Sequence, residues 1–292
     1  MADLVYGMAM SRVLKHLRTS MIAHDITSSI SIRHLVHQLV EVSFVDDVAI
    51  PVTAHASEIV SKSGCVARCV HDVFRMFGMT LNFKPGKSEG IVGFFGPASR
   101  VARASLAVSG MQTPIGGDSP VSFRFVSSYQ HVGTCIAVNL NMCEEVTKRC
   151  GIMRAEASSL SAKIFKSSGT CLQHKVLLLQ SYILSKGTNQ CGAWAALPDV
   201  QYKRFHKCIL DVYRAVCGHK CYKRGIDDTV DVPAMFTDDD VIFKYGFMNP
   251  RTMLRLFKLT LFSRIVTKAP PLLLELIRAQ GLFSKGWVHS FA

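Results

Sequence analysis

No apolar run in the chain approaches the roughly 18 to 20 residues needed to span a bilayer. The most apolar stretch, APPLLLELI from Ala269, is broken by Pro270, Pro271 and Glu275. Nor does a basic start lead into a continuous apolar core at the N-terminus, so no signal peptide is read there. No membrane partner is expected, and the expected location is intracellular, cytoplasmic or nuclear. Acidic residues are scarce: 21 Asp and Glu stand against 34 Lys and Arg, a formal net charge of +13. There is also no lysine-rich tail to account for it, because residues 1–140 carry +3, 141–199 carry +3 and 200–292 carry +7. A basic excess spread over a folded chain implies a polyanionic partner. Paired C-x2-C spacing is missing too. Two groups, Cys65, Cys69 and His71 in CVARCVH and Cys217, His219 and Cys221 in CGHKC, lack the spacing of structural zinc. The ten cysteines are therefore read as reduced, mostly buried thiols. Finally, Gly86-Lys87-Ser88 is not a phosphate-cradling loop, since that motif needs a glycine five residues before Gly86 and Leu81 stands there.

What is present is a chain able to fold, with 49% apolar residues, enough for one large domain or two ordinary ones. An amphipathic helix is expected from Ala2 to about Arg18, with Leu4, Met8, Val13, Leu14 and Leu17 on a broad face, followed by a polar link. Residues 35–52 turn strand-like, and Pro51 confines the second strand to an edge or an end. A helix over 57–77 follows, with Ser57 as N-cap, Ile59, Val66, Val70, Val73, Phe74 and Phe77 as its apolar side, and Gly78 as its stop. Residues 79–96 predict two strands joined by a turn at Pro85-Gly86, with Lys87 and Glu89 near the tip. The Gly-, Pro- and Ser-rich residues 109–120 read as a loop between subdomains, and 121–138 as a hairpin bending near Ser127 and Ser128. Beyond Leu140 strand signals nearly vanish. Leu172, Val176, Leu179 and Ile183 mark a helix that ends at Gly187 and leaves Lys175 and Lys186 in water. Past Pro198 come further helices, interrupted by FTDDDV, where Asp238, Asp239 and Asp240 read as a solvated loop and cap.

The chemistry starts at VSFVDDVAIPV, Val42 to Val52, where Asp46 and Asp47 lie between two short β-branched runs. Asp is common in turns, and a solvated pair is the plain reading. The alternative is a cation: adjacent carboxylates repel unless compensated, and hard divalent ions take oxygen ligands. Likewise, Lys87 is on its own a solvated turn lysine.

The order of elements decides between them. FVDD, Phe44 to Asp47, resembles the F/Y-x-D-D turn of reverse transcriptases of non-LTR (LINE-type) retrotransposons. GMTLNFKPGKSE, Gly78 to Glu89, resembles the G-x-x-L-N-x-x-K-[ST]-E motif that follows it in that family. YQHVGT, Tyr129 to Thr134, resembles the Y-x-x-L-G strand that holds the primer end, with Val132 in place of the leucine. ADLVYGMAMSRVL, near the start, resembles the helix after the family's Q-G-D-P-[LM] motif, which is itself missing, as is the upstream strand bearing the first catalytic aspartate. The chain is therefore expected to be a fragment.

The resemblance implies an α+β fold: a truncated polymerase palm of antiparallel hairpins packed on helices over 1–140, thumb-like helices over 141–195, and a basic helical C-terminal region over 196–292. It implies an RNA-directed DNA polymerase whose intact form transfers nucleotides with Mg2+ (or Mn2+). Asp46 and Asp47 would be catalytic metal ligands, and Lys87 would protonate or neutralise the leaving pyrophosphate. Tyr129, His131 and Gly133 would position primer, while Lys163, Lys166 and Lys175 would contact phosphates without regard to sequence. The partners are an RNA template, a DNA primer and deoxynucleoside triphosphates. With one of two carboxylate strands present, the chain alone is expected to be inactive. A second reading, from a different class, is a non-catalytic basic nucleic-acid-binding remnant of a decayed element.

Overall fold

A period-two run, Ser-Ser-Ile-Ser-Ile, makes the first strand, β1 (Ser28–Ile32), which pairs antiparallel with β2 (Leu35–Leu39) from Ser28↔Leu39 to Ile32↔Leu35. A polar link was expected here, and the alternation of Ile30 and Ile32 with serine is what overrides the polar composition. The computed structural model describes residues 8–13, 15, 28–32, 35–39, 42–44, 47–115, 121–139, 141–218, 222–223, 234–271, 273–274, 277 and 287. It is an α+β protein of two units, Met1–Asn141 and Met142–Ala292.

In the first unit, residues 8–13 are helical and bury Ala9, Met10 and Val13. Met8, expected on that face, is exposed, because the inward stripe is 9, 10 and 13 instead. β3 (Val42–Phe44) and β4 (Asp47–Ala49) form the expected hairpin, and Val48 packs against a core shared with α1 (Ile59–Met76). Helix α1 buries Ile59, Val66, Val73 and Phe74, as its spacing predicted. Glu58, not Ser57, is its N-cap, and no side chain caps the first turn. It ends in a Schellman turn: Gly78 N–H donates to the Arg75 carbonyl and Met79 N–H to the Phe74 carbonyl.

The remaining strands differ from expectation. Residues 79–83 form no ladder, so β5 (Glu89–Ile91) is not half of a hairpin but pairs in parallel with β7 (Ser122–Val126). Between them lie α2 (Ser99–Val108) and β6 (Gln112–Pro114), an antiparallel edge strand on β7 inside the segment expected to be loop. Strand order is β5-β7-β6. The second hairpin is β8 (Ser128–His131) with β9 (Thr134–Ala137), so the chain bends at Val132-Gly133 rather than at Ser127 and Ser128. Both turn residues have positive φ, 46° and 81°, as a two-residue primed turn requires. Serine pairs carry no such demand, whereas the glycine was the better signal.

The second unit is nearly all helical. Its main elements are α3 (Cys143–Leu160), α4 (Leu172–Leu178), α5 (Asp199–Cys217), α6 (Asp238–Tyr245) and α7 (Pro250–Lys268), with two-residue strands β10 (Tyr222–Lys223) and β11 (Ala234–Met235). π-helical turns follow α3 and α4, at Ser161–Phe165 and Leu179–Leu184. A single core joins residues on both sides of 195: Met153, Leu179 and Ile183 meet Trp194, Phe205 and Ile209. The acids Asp238, Asp239 and Asp240 are not loop but the first turn of α6. Thr237 and Asp240 form its capping box, and carboxylates suit the positive end of the helix dipole. Among the described residues no helix is long and apolar enough to cross a membrane.

Candidate functional site

Phe44 is the register partner of Asp47 in the β3–β4 hairpin. Asp46 lies outside the described residues. Asp47 opens β4 rather than standing at the tip, with its side chain exposed while Val48 turns to the core.

The second segment follows the Schellman turn. Asn82 organises it: its side-chain oxygen accepts from Lys84 N–H at 3.0 Å and its carbonyl from Ser88 N–H at 2.9 Å. Lys87 N–H closes a turn onto the Lys84 carbonyl at 3.1 Å, with Gly86 at φ 77°, a conformation Pro-Gly supplies readily. With no strand partner, the segment is held by rings. His71 of α1, Phe83, and Phe123 and Phe125 of β7 meet edge to face at centroid distances of 5.6, 6.4 and 5.3 Å. Gly90 lets β5 lie against that stack, because a Cβ there would come within 2.8 Å of the Phe123 ring. Lys87 is exposed. Glu89 is not near the tip. Its side chain is 4% exposed and accepts from Arg124 Nε at 2.9 Å, across the β5–β7 register pair Glu89↔Arg124. The sequence reading had no role for Arg124. Its only trace was a charge at an alternate position of SFRFV, legible once the parallel pairing with β5 is known.

The third segment reaches the second. The Tyr129 hydroxyl donates to the Lys87 carbonyl. Burial holds the Tyr129 phenol above its ordinary pKa, and the nearby carboxylates of Asp47 and Glu89 push it in the same direction. Segments read separately in the sequence, at 78–89 and 129–134, thus meet, and the charge of Asp47 acts on the same phenol. His131 is half-buried at the end of β8, its ring 6.5 Å from that of Tyr129, and Gly133 is exposed in the turn.

The expected phosphate contacts lie in the second unit and divide. Lys163 and Lys166 are exposed, on and just after the first π turn. Lys175 is a correction. Its ammonium donates to the carbonyls of Phe165 and Ser167, at 2.7 and 2.8 Å, because the end of the π turn leaves those oxygens without helical partners. Lys186, expected in water, binds Glu156 at 2.6 Å and lies 3.8 Å from the Tyr182 ring centre.

As for a divalent cation, no group of three or more His, Cys, Asp or Glu stands together among the described residues. Asp47 is exposed and Glu89 is taken by Arg124. These donors do not by themselves make the two-ion site that nucleotidyl transfer uses. The cysteine and histidine groups fare no better, with Cys65 and Cys69 half-buried on α1, Cys217 buried, and His219 and Cys221 outside the described residues. No protein-family model matches the chain, and neither a curated protein nor a solved structure matches it.

Proposed function

We propose that the chain is part of an RNA-directed DNA polymerase of the non-LTR retrotransposon type, with the second half of the palm at 1–140, thumb-like helices at 141–195 and a basic helical region at 196–292. The observation that supports this most is the Tyr129 hydroxyl on the Lys87 carbonyl, with Asp47 and Glu89 close enough to act on the phenol. Two sequence-distant segments, each resembling one motif of that family in the family's order, need not have met at all, nor need the charge of Asp47 in the third have reached them.

In this reading Asp46 and Asp47 supply one carboxylate pair of the intact enzyme, whose Mg2+ or Mn2+ provides the Lewis-acid chemistry. The chain's own residues do the following. The Asn82-centred turn and Tyr129 fix the backbone of Lys87, which presents its exposed ammonium to the negative charge of a leaving pyrophosphate. The β8–β9 turn presents backbone at Tyr129 to Gly133 to the primer. Lys163 and Lys166 neutralise phosphates of the RNA–DNA duplex.

The test is a fusion of the fingers and first aspartate strand of a related retrotransposon to Met1, assayed for primer extension with deoxynucleoside triphosphates. Asp46→Asn should lose several orders of magnitude in rate with duplex binding little changed, and Lys87→Ala on the order of 10- to 1000-fold. Asp238→Asn, in the capped first turn of α6, should leave the rate alone. A fusion that polymerises with Asp46→Asn at full rate overturns the assignment. One that binds duplex but never extends it supports the non-catalytic remnant.

A further inference from the structure

In the second unit α3 and α5 run in the same direction and meet at three matching levels. Arg204 Nη1 donates to Thr147 Oγ1 at 2.7 Å, Cys208 Sγ to the Cys150 carbonyl at 3.6 Å, and Arg154 lies 3.9 Å from Asp211. The first two partners are 57 and 58 residues apart in sequence, so the helices hold one register along their length. At the middle level two cysteines stand together in the core, 1% and 0% exposed, with the Cys208 thiol turned to the backbone of Cys150.

We propose that Cys150 and Cys208 are a disulfide-forming pair, a reversible staple between α3 and α5 closed by a peroxide. The Cys150 thiolate attacks one peroxide oxygen, the O–O bond breaks, and the departing oxygen leaves as water after taking a proton. Cys208 then attacks the sulfur of the Cys150 sulfenic acid. The S–S bond forms, the S–O bond breaks, and a second water leaves with the Cys208 proton. Two thiols are oxidised and one peroxide is reduced to two waters.

The environment divides the roles. The neighbouring Cys208 thiol lowers the Cys150 pKa against the opposing effect of burial, with help from the charges of Arg154 and Arg204. The neighbouring Cys150 thiol, with burial, raises that of Cys208. Cys150 is the attacking sulfur and Cys208 the resolving one. Burial limits the oxidant to a small molecule and makes the step slower than oxidation of Cys171, an exposed cysteine of the same unit.

The test uses the full chain carrying Cys171→Ser, treated with hydrogen peroxide beside a free small-molecule thiol as a reference. Expected are the loss of two hydrogen atoms in intact mass and a non-reducing peptide map joining the Cys150 and Cys208 peptides. The melting point should rise by on the order of 10 °C, because the closed loop is long, and dithiothreitol should reverse it. With Cys208→Ser added, the reaction should stop at a sulfenic acid on Cys150, captured by dimedone. If that variant fails to fold, the map of the Cys171→Ser chain decides alone. The proposal is overturned if both cysteines stay free once the reference thiol is consumed, if either joins a third cysteine, or if Cys150 goes on to sulfinic acid with Cys208 present.

Discussion

Replacing Arg149 with methionine should destabilise the second unit by roughly 3–5 kcal/mol, the cost of taking the guanidinium away from a buried carboxylate. Glu145 is fully buried, one helical turn earlier on α3, and Arg149 Nε lies 2.6 Å from its carboxylate. A further N–H of the guanidinium reaches the Lys186 carbonyl at 3.2 Å, which ties α3 to the end of the helix over 172–187. Methionine keeps the packing volume but removes both the charge and the donors. The midpoint of thermal unfolding should fall by about 10 °C for a unit of this size. Glu145→Leu with Arg149→Met should recover most of the loss, since an apolar pair of similar volume is often neutral or better. Urea melts followed by circular dichroism read both variants. An Arg149→Met protein within about 1 kcal/mol of the parent would refute the premise that this carboxylate depends on its guanidinium.

The other outcomes concern the site and its surface. Affinity for a primer–template duplex should fall linearly in log K against log salt, with Lys163→Ala plus Lys166→Ala reducing the slope by roughly 2, while Lys175→Ala leaves the slope alone. A Lys175→Ala chain whose salt slope drops contradicts the intramolecular role of that ammonium. Tyr129 should ionise above the ordinary tyrosine range in a spectrophotometric titration, and Asp47→Asn should lower its pKa by removing a charge that raises it. Because its folded value is raised, its contribution to stability is complete below the unfolded pKa of about 10 and is lost as pH climbs through the folded one. An unmoved titration in Asp47→Asn would separate the hairpin from the Tyr129 strand. Val132→Asn should stabilise the first unit by about 1 kcal/mol, since a β-branched residue at φ 46° carries strain that Asn tolerates; a loss of stability would show that the valine's packing outweighs the strain.

Elements with a strong period were legible in the sequence. The apolar spacing of α1 and the alternation around Asp47 place their residues where the structure has them, since burial of one face or stripe leaves one arrangement. The failures are places where long-range partners decide. β5 takes a parallel partner 35 residues away rather than the adjacent segment, and nothing local to 79–91 encodes that. α2 was missed because its inward side is only Ala102 and Leu106, while Val101 and Val108 remain exposed. Of the site, the three motif segments could be read in order, but the meeting of the latter two could not. The hydrogen bond between Tyr129 and Lys87 and the pair Glu89–Arg124 exist only once β5 and β7 are neighbours. Lys175 was read as a solvent cation because sequence gives no sign that a π turn will end beside it.

The shared direction of α3 and α5 also bears on how the second unit folds. Neighbouring helices that alternate in direction need only a short loop and dock through contacts near in sequence. Here each matched pair spans more than fifty residues, so the docking face of α3 stays bare until the whole intervening crossover, with its two π turns, has been laid down. Loop closure of that length is charged before any core contact rewards it. The unit should therefore refold more slowly than an up-and-down bundle of equal size. Chains released early from synthesis, with α3 made and α5 not, would show their uncovered apolar stripe to chaperones.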